Sequence, residues 1–274
     1  MNTRHLLLAA ALLALPAAPA RAAFEELELG VSDLAMGGSG VLGCGAASLF
    51  ANPASIAGGE GSELVAAGRV PFSRFDFTTA GLDASLPMYG AWRAGASARF
   101  FGGSDYSEKL LAFTASGMLG RGLAVGIQPV LAQVSIGDGQ SSYGSAGAFS
   151  INLGFRAELY DRWAVAASIR NPFESRIGES GEHFERRLDI GVSYEPATGM
   201  QSRVAVSRDF RGLRFSMGQA LPVGPLTLMA GVRTDPAVFC AGFGATVGSA
   251  RLEYSIMTHP SLSPSHSAGV SYAF

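Results

Sequence analysis

Residues 149–159 read FSINLGFRAEL. Phe149, Ile151, Leu153, Phe155, Ala157 and Leu159 fall on one parity, and Ser150, Asn152, Gly154, Arg156 and Glu158 on the other. A period of two is the mark of an extended strand with unlike faces. The same alternation recurs at Trp92–Phe100, Trp163–Arg170, Arg187–Tyr194 and Ser267–Phe274. It continues from about Glu63 to the last residue, in segments separated by Gly, Pro, Asp, Asn and Ser, which favour turns.

The composition of the two faces decides the setting. The less apolar face is mostly Gly, Ala and Ser, punctuated by Arg, and the only Lys in the chain is Lys109. A sheet facing water would carry more Lys, Glu and Thr. Aromatic residues cluster at segment ends, among them Trp92, Phe100, Tyr160, Trp163, Tyr194 and Phe274, where membrane barrels place their interfacial girdles. The chain is apolar on average. Yet beyond residue 22 it holds no uninterrupted apolar run long enough for a helical span, about 20 residues. Only 15% of its residues are charged and 36 are Gly. These features predict an all-β transmembrane antiparallel barrel, with outer-membrane lipids against its apolar face.

We place about 14 strands, starting near residues 62, 73, 90, 108, 122, 144, 161, 185, 200, 211, 224, 236, 250 and 265. The even count returns the chain to its starting side. The longest connections, 136–143, 171–184 and 258–264, all follow odd-numbered strands, as external loops would. Alternation changes phase near Ala80 and again near Pro129, which predicts a bulge or edge irregularity in strand 5.

The ends of the chain carry other signals. Arg4, the apolar stretch Leu6–Leu15 and Ala20-Arg21-Ala22 form a secretory signal over residues 1–22, implying Sec-type export to a bacterial outer membrane. Residues 23–61 are rich in Gly and Ala and lack strand alternation; residues 62–274 form the barrel. Val270, Tyr272 and Phe274, at alternate positions up to the terminus, read as the signal taken up by the barrel-assembly machinery.

Several chemistries are disfavoured. A formal charge of −2 gives no electrostatic reason for a nucleic-acid partner. His183, His259 and His266 lie in or beside loops without a nucleophile motif, and no metal-ligand spacing appears, so neither catalysis nor a cofactor is expected. Arg93, Arg99, Arg156, Arg187, Arg203, Arg214, Arg233 and Arg251 share the inward parity with Glu158, Asp189, Asp209 and Glu253. They should pair with one another or grip the N-terminal segment; the alternative is a charged conduction path. Cys240 also has inward parity. Cys44 and Cys240 are candidates for a disulfide in an oxidising compartment, the alternative being two free thiols.

Met36-Gly37-Gly38, within GVSDLAMGG, followed by Asn52-Pro53-Ala54 in FANPASIA, resembles the start of PorV/PorQ-like outer-membrane proteins and, more distantly, the FadL-type transporters. The ending from His259 to Phe274 is similar to PorV-like termini. The resemblance implies a 14-stranded barrel with the N-terminal segment folded inside as a plug. It implies one of two roles: passive passage of small hydrophobic compounds, as in FadL-like members, or a non-transporting part in type IX-like protein secretion, with a secretion-system protein as partner. Asn52 can cap a helical turn whose first position suits Pro53, seating 54–57; an ordinary loop is the alternative.

Overall fold

The computed structural model describes residues 23–24, 27–103, 105–138, 141–160, 162–178, 184–196 and 198–274; the expected signal segment, 1–22, and His183 lie outside them. Fourteen antiparallel strands form a closed barrel in sequence order. They are β1 Glu63–Val70, β2 Thr79–Pro87, β3 Trp92–Gly102, β4 Tyr106–Gly120, β5 Leu123–Gly137, β6 Ser142–Leu159, β7 Trp163–Arg170, β8 Arg187–Tyr194, β9 Gln201–Asp209, β10 Gly212–Val223, β11 Leu226–Arg233, β12 Val238–Val247, β13 Ala250–Met257 and β14 Ser265–Ala273. β1 closes the ring against β14, from Glu63 opposite Ala273 to Val70 opposite His266. Closure leaves no unpaired edge, which a barrel crossing lipid requires.

The even-odd alternation sorts the side chains. On β8, Arg187, Asp189, Gly191 and Ser193 are buried while Leu188, Ile190 and Val192 are exposed. The outer surface carries Leu64, Leu82, Leu111, Phe113, Ile127, Leu131, Phe149, Val204, Phe215, Leu228, Phe243 and Leu252, all exposed. Two-residue turns at Gly224-Pro225 and Gly248-Ser249 join β10 to β11 and β12 to β13; both glycines have φ +60, a backbone angle that tight hairpins need.

One expectation is corrected, and that of a bulge or irregularity in strand 5 is met only as an interrupted ladder to β4. β2 starts at Thr79 rather than near 73, because Pro71–Ser73 and Phe75–Phe77 wind into 3-10 turns. The phase change near Ala80 is therefore the start of the strand. Strand 5 has no bulge at Pro129: even-numbered residues stay buried from Ala124 to Val134, and its register with β6 is unbroken there. The ladder to β4 omits only Phe113 opposite Pro129 and Thr114 opposite Gln128, where proline has no N–H to give. The register shift lies in β4, between Met118 and Gly120.

Residues 27–57 run between the inner faces of the strands. A short helix α1, Val31–Ala35, touches β11 to β14. The 3-10 turn Gly40–Leu42 touches β7 to β9, Ala46–Ser48 touches β1 and β2, and Pro53–Ile56 touches β4 to β6. These contacts reach strands on opposite sides of the ring. Among the described residues no helix is long and apolar enough to cross a membrane.

Candidate functional site: the barrel interior

Inward glycines make sockets for the N-terminal segment. A β-carbon on Gly154 would fall 2.2 Å from Asn52 Oδ1, and one on Gly126 2.3 Å from the Pro53 backbone. On the far wall, β-carbons on Gly218 and Gly231 would collide with the Met36 backbone at 2.5 Å. Gly37, at φ +79, packs against the Val232 carbonyl. The small inward face read from the sequence is thus the contact surface for Met36-Gly37 and Asn52-Pro53-Ala54.

Polar contacts fix the segment in place. Asn52 Oδ1 accepts from the Ala54 N–H at 2.9 Å, and Pro53 opens the turn Pro53–Ile56. The Asn52 amide donates to the Val41 and Phe155 carbonyls at 2.8 and 3.2 Å. Arg203 meets Asp33 at 2.6 Å, and Ser48 donates to the same carboxylate at 2.6 Å. Arg93 donates to the carbonyls of Gly59, at 2.8 Å, and Gly61; Arg156 donates to the Leu42 carbonyl at 3.2 Å and lies 3.8 Å from the exposed Glu158. Gln128 donates to the Leu49 carbonyl at 3.3 Å and to Thr114 at 2.9 Å, spanning the skipped rungs of the β4–β5 ladder from the inside.

Towards the end bearing the long loops, the interior divides in two. One side is apolar: Leu110 and Ala112 of β4 and Val130, Ala132 and Val134 of β5 pack with Phe24, Leu27 and Phe50, under Ile177 and Phe184 of the β7–β8 loop. Phe24 and Phe184 rings stand 5.2 Å apart. Arg99, paired bidentately with Asp83 at 2.8 and 2.9 Å, and Arg170 each lie 5.6 Å from the Phe50 ring centre.

The other side is charged. Glu28 receives Arg170 and Arg187 at 3.0 Å each, Arg187 pairs with Asp189 at 2.8 Å, and Arg214 pairs with Asp209. Arg69, Arg187, Arg211, Arg214, Arg233, Glu28, Glu185 and Ser216 line a cavity of about 20 Å³, room for a single water. Burial pushes Glu185, in the loop before β8, up to about 7 against the pull of Arg170 and Arg187. Burial works the same way on Glu28, but Arg187 and Arg170 outweigh it and hold that carboxyl below its usual range.

The lumen arginines Arg93, Arg99, Arg156 and Arg187 therefore end in partners, not in an open charged path. Cys240 points inward, buried beside Leu34, Val238 and Met257, while Cys44 is exposed and not bonded to it. Val270 and Tyr272 face outward on β14, and the Phe274 N–H donates to the Ser62 carbonyl at 2.9 Å. Among the described residues no cluster of His, Cys, Asp or Glu is placed to hold a metal. The apolar patch was not foreseen from sequence. Its trace is the loss of alternation at Leu110-Leu111 and Val130-Leu131, where both faces are apolar.

No protein-family model and no curated protein matches the chain. Solved structures do. The monoaromatic hydrocarbon channel CymD aligns with TM-score 0.70 at 14% identity, over 92% of this chain and 99% of that one. The Pseudomonas putida toluene transporter TodX aligns with TM-score 0.66 at 15% identity, over 91% and 98%. A Pseudomonas aeruginosa FadL homologue aligns with TM-score 0.62 at 10% identity, over 90% and 98%. At such identities the likeness is one of fold.

Proposed function

We propose that the chain is an outer-membrane channel for passive passage of a small hydrophobic compound, with residues 27–57 as its plug. One observation carries this reading: Leu110, Ala112, Val130, Ala132 and Val134 of adjacent strands form a continuous inward apolar patch beneath the long loops, more extensive than the apolar groups elsewhere in the lumen, such as Val238 with Met257 or Ala220 with Met229. Elsewhere the inward faces mix Arg, Asp and Ser with small apolar groups, and a purely scaffolding barrel has no need of an apolar patch of this extent. Phe24, Leu27 and Phe50 cover the patch from the N-terminal segment, so an arriving ligand would take their place. The printed identities of the structural neighbours, hydrocarbon channels and a FadL homologue, agree with this class of cargo. The exit we favour is the β4–β5 seam at Phe113 and Pro129, where two backbone rungs are absent and Gln128 closes the inner side. No observation favours a role in protein secretion.

The test is mass spectrometry of protein extracted in mild detergent, read for both small molecules and proteins. The reading predicts a co-purifying hydrophobic compound that Val130→Asp releases. A stoichiometric surface or secretion protein without such a compound would overturn it.

A further inference from the structure

Outward-facing strand residues are almost free of charge. Among the described residues only Lys109 and Arg208 place a cationic Lys or Arg side chain on the outer face of a strand, and no carboxylate does so. Arg208 is the penultimate residue of β9, at the end of the barrel that carries the long β7–β8 loop. An Arg on the lipid face costs roughly 2–4 kcal/mol at mid-depth but about 0–1 near the interface, so this position is tolerable only at headgroup level.

Among the described residues, the nearby carboxylates Asp209, Asp189 and Glu174 are engaged elsewhere. Asp209 turns inward to Arg214, Asp189 to Arg187, and Glu174 meets Arg186 at 2.6 Å. The Arg208 side chain makes no hydrogen bond or ion pair with any described residue. Beside it runs a groove of about 420 Å³, lined by Ile169, Leu188, Phe184, Phe210, Arg186 and Arg208, with Glu174 and Asp209 at its polar margin. Ile169 pairs with Leu188, and Leu188 with Arg208, so one cross-strand row leads from an apolar floor to a guanidinium. Arg186 is half exposed and meets Glu174 through one Nη.

We infer that this rim groove binds a phosphorylated lipid of the outer leaflet, with an acyl chain over Ile169 and Leu188 and the phosphate between Arg208 and Arg186. Guanidinium forks match phosphate oxygens bidentately, and cationic pockets at the membrane surface are suited to anionic headgroups. The inference rests on the reading of the chain as an outer-membrane barrel, although not on what passes through it.

The experiment is native mass spectrometry of the protein released from phosphatidylethanolamine nanodiscs containing lipid A, compared with nanodiscs containing dephosphorylated lipid A. Wild-type protein should retain lipid A and not its dephosphorylated form. Arg208→Gln should weaken retention about tenfold, as loss of one charge-assisted contact predicts, and Arg186→Gln should weaken it further. Millimolar inorganic phosphate should not displace the lipid. Equal retention by the double variant, indifference to the phosphate groups, or displacement by inorganic phosphate would each overturn the inference. Heat-modifiable migration on gels, recorded for each variant, separates this failure from failure of the barrel reading. A folded, inserted barrel that ignores lipid A sinks the groove alone, and a chain that never inserts sinks the reading beneath it.

Discussion

Asn52 joins three parts of the molecule through one side chain: its own turn at Ala54, the turn at Val41, and the wall at Phe155. Replacing a capping Asn with Ala costs about 1 kcal/mol, and leaving the buried Val41 carbonyl without its donor adds roughly 1–3 kcal/mol. Asn52→Ala should therefore loosen the N-terminal segment before the barrel itself. Limited proteolysis would register this as cleavage within residues 27–61 while the barrel still shifts on heating. Glu185 acts on pH instead. Its carboxyl titrates at about 7 in the folded protein against a usual 4.5, so the fold holds a proton that the unfolded chain releases. Stability is then fullest below pH ~4.5 and declines as pH rises to ~7. The melting temperature in detergent should fall across that window, and Glu185→Gln should flatten the slope. A slope unchanged in the variant would assign it to other groups.

At the level of strands, parity did most of the work. Phe149–Leu159 and Arg187–Tyr194 face as their alternation predicts because one face meets an apolar medium and the other a packed interior. Parity fails where that contrast vanishes. Val130, Ala132 and Val134 are as apolar as the outward Leu131, so strand 5 looked phase-shifted although its inward set never changes. Residues 73–78 looked like strand because Phe75 and Phe77 alternate, yet they wind through 3-10 turns. In the segment 27–57 the local pattern gives the absence of strand and the capped turn at Asn52-Pro53, whereas its path depends on long-range contacts such as Asp33 with Arg203, which no local pattern encodes. Two tests belong here. Gly154→Val would drive a side chain into Asn52 and should expel the turn Pro53–Ile56 from the wall, seen as increased hydrogen exchange over 41–57. Deleting Phe274 removes the aromatic end of β14 and one backbone bond to Ser62, and should lower the amount of protein assembled in the membrane. Normal assembly of that variant would refute Val270, Tyr272 and Phe274 as an assembly signal.

The whole molecule is a closed wall, apolar outside, around an interior held largely by ion pairs and glycine sockets. Breaking the buried Asp33–Arg203 pair with Arg203→Ala would leave a carboxylate unmatched, at about 3–5 kcal/mol. For the proposed channel, the consequence for traffic follows from the division of the interior: arginines and acids on one side, Leu110, Val130 and Phe50 on the other. A hydrophobic solute partitions to the second side, and a polar one finds a cavity with room for one water. The most direct test is uptake of radiolabelled toluene by cells that lack other outer-membrane hydrocarbon channels and express either this chain or its Val130→Asp variant, with both confirmed as folded barrels. Uptake above the vector control with the wild-type chain, and lost with Val130→Asp, is the predicted result; uptake no greater than the control from a folded, inserted wild-type barrel would contradict the account.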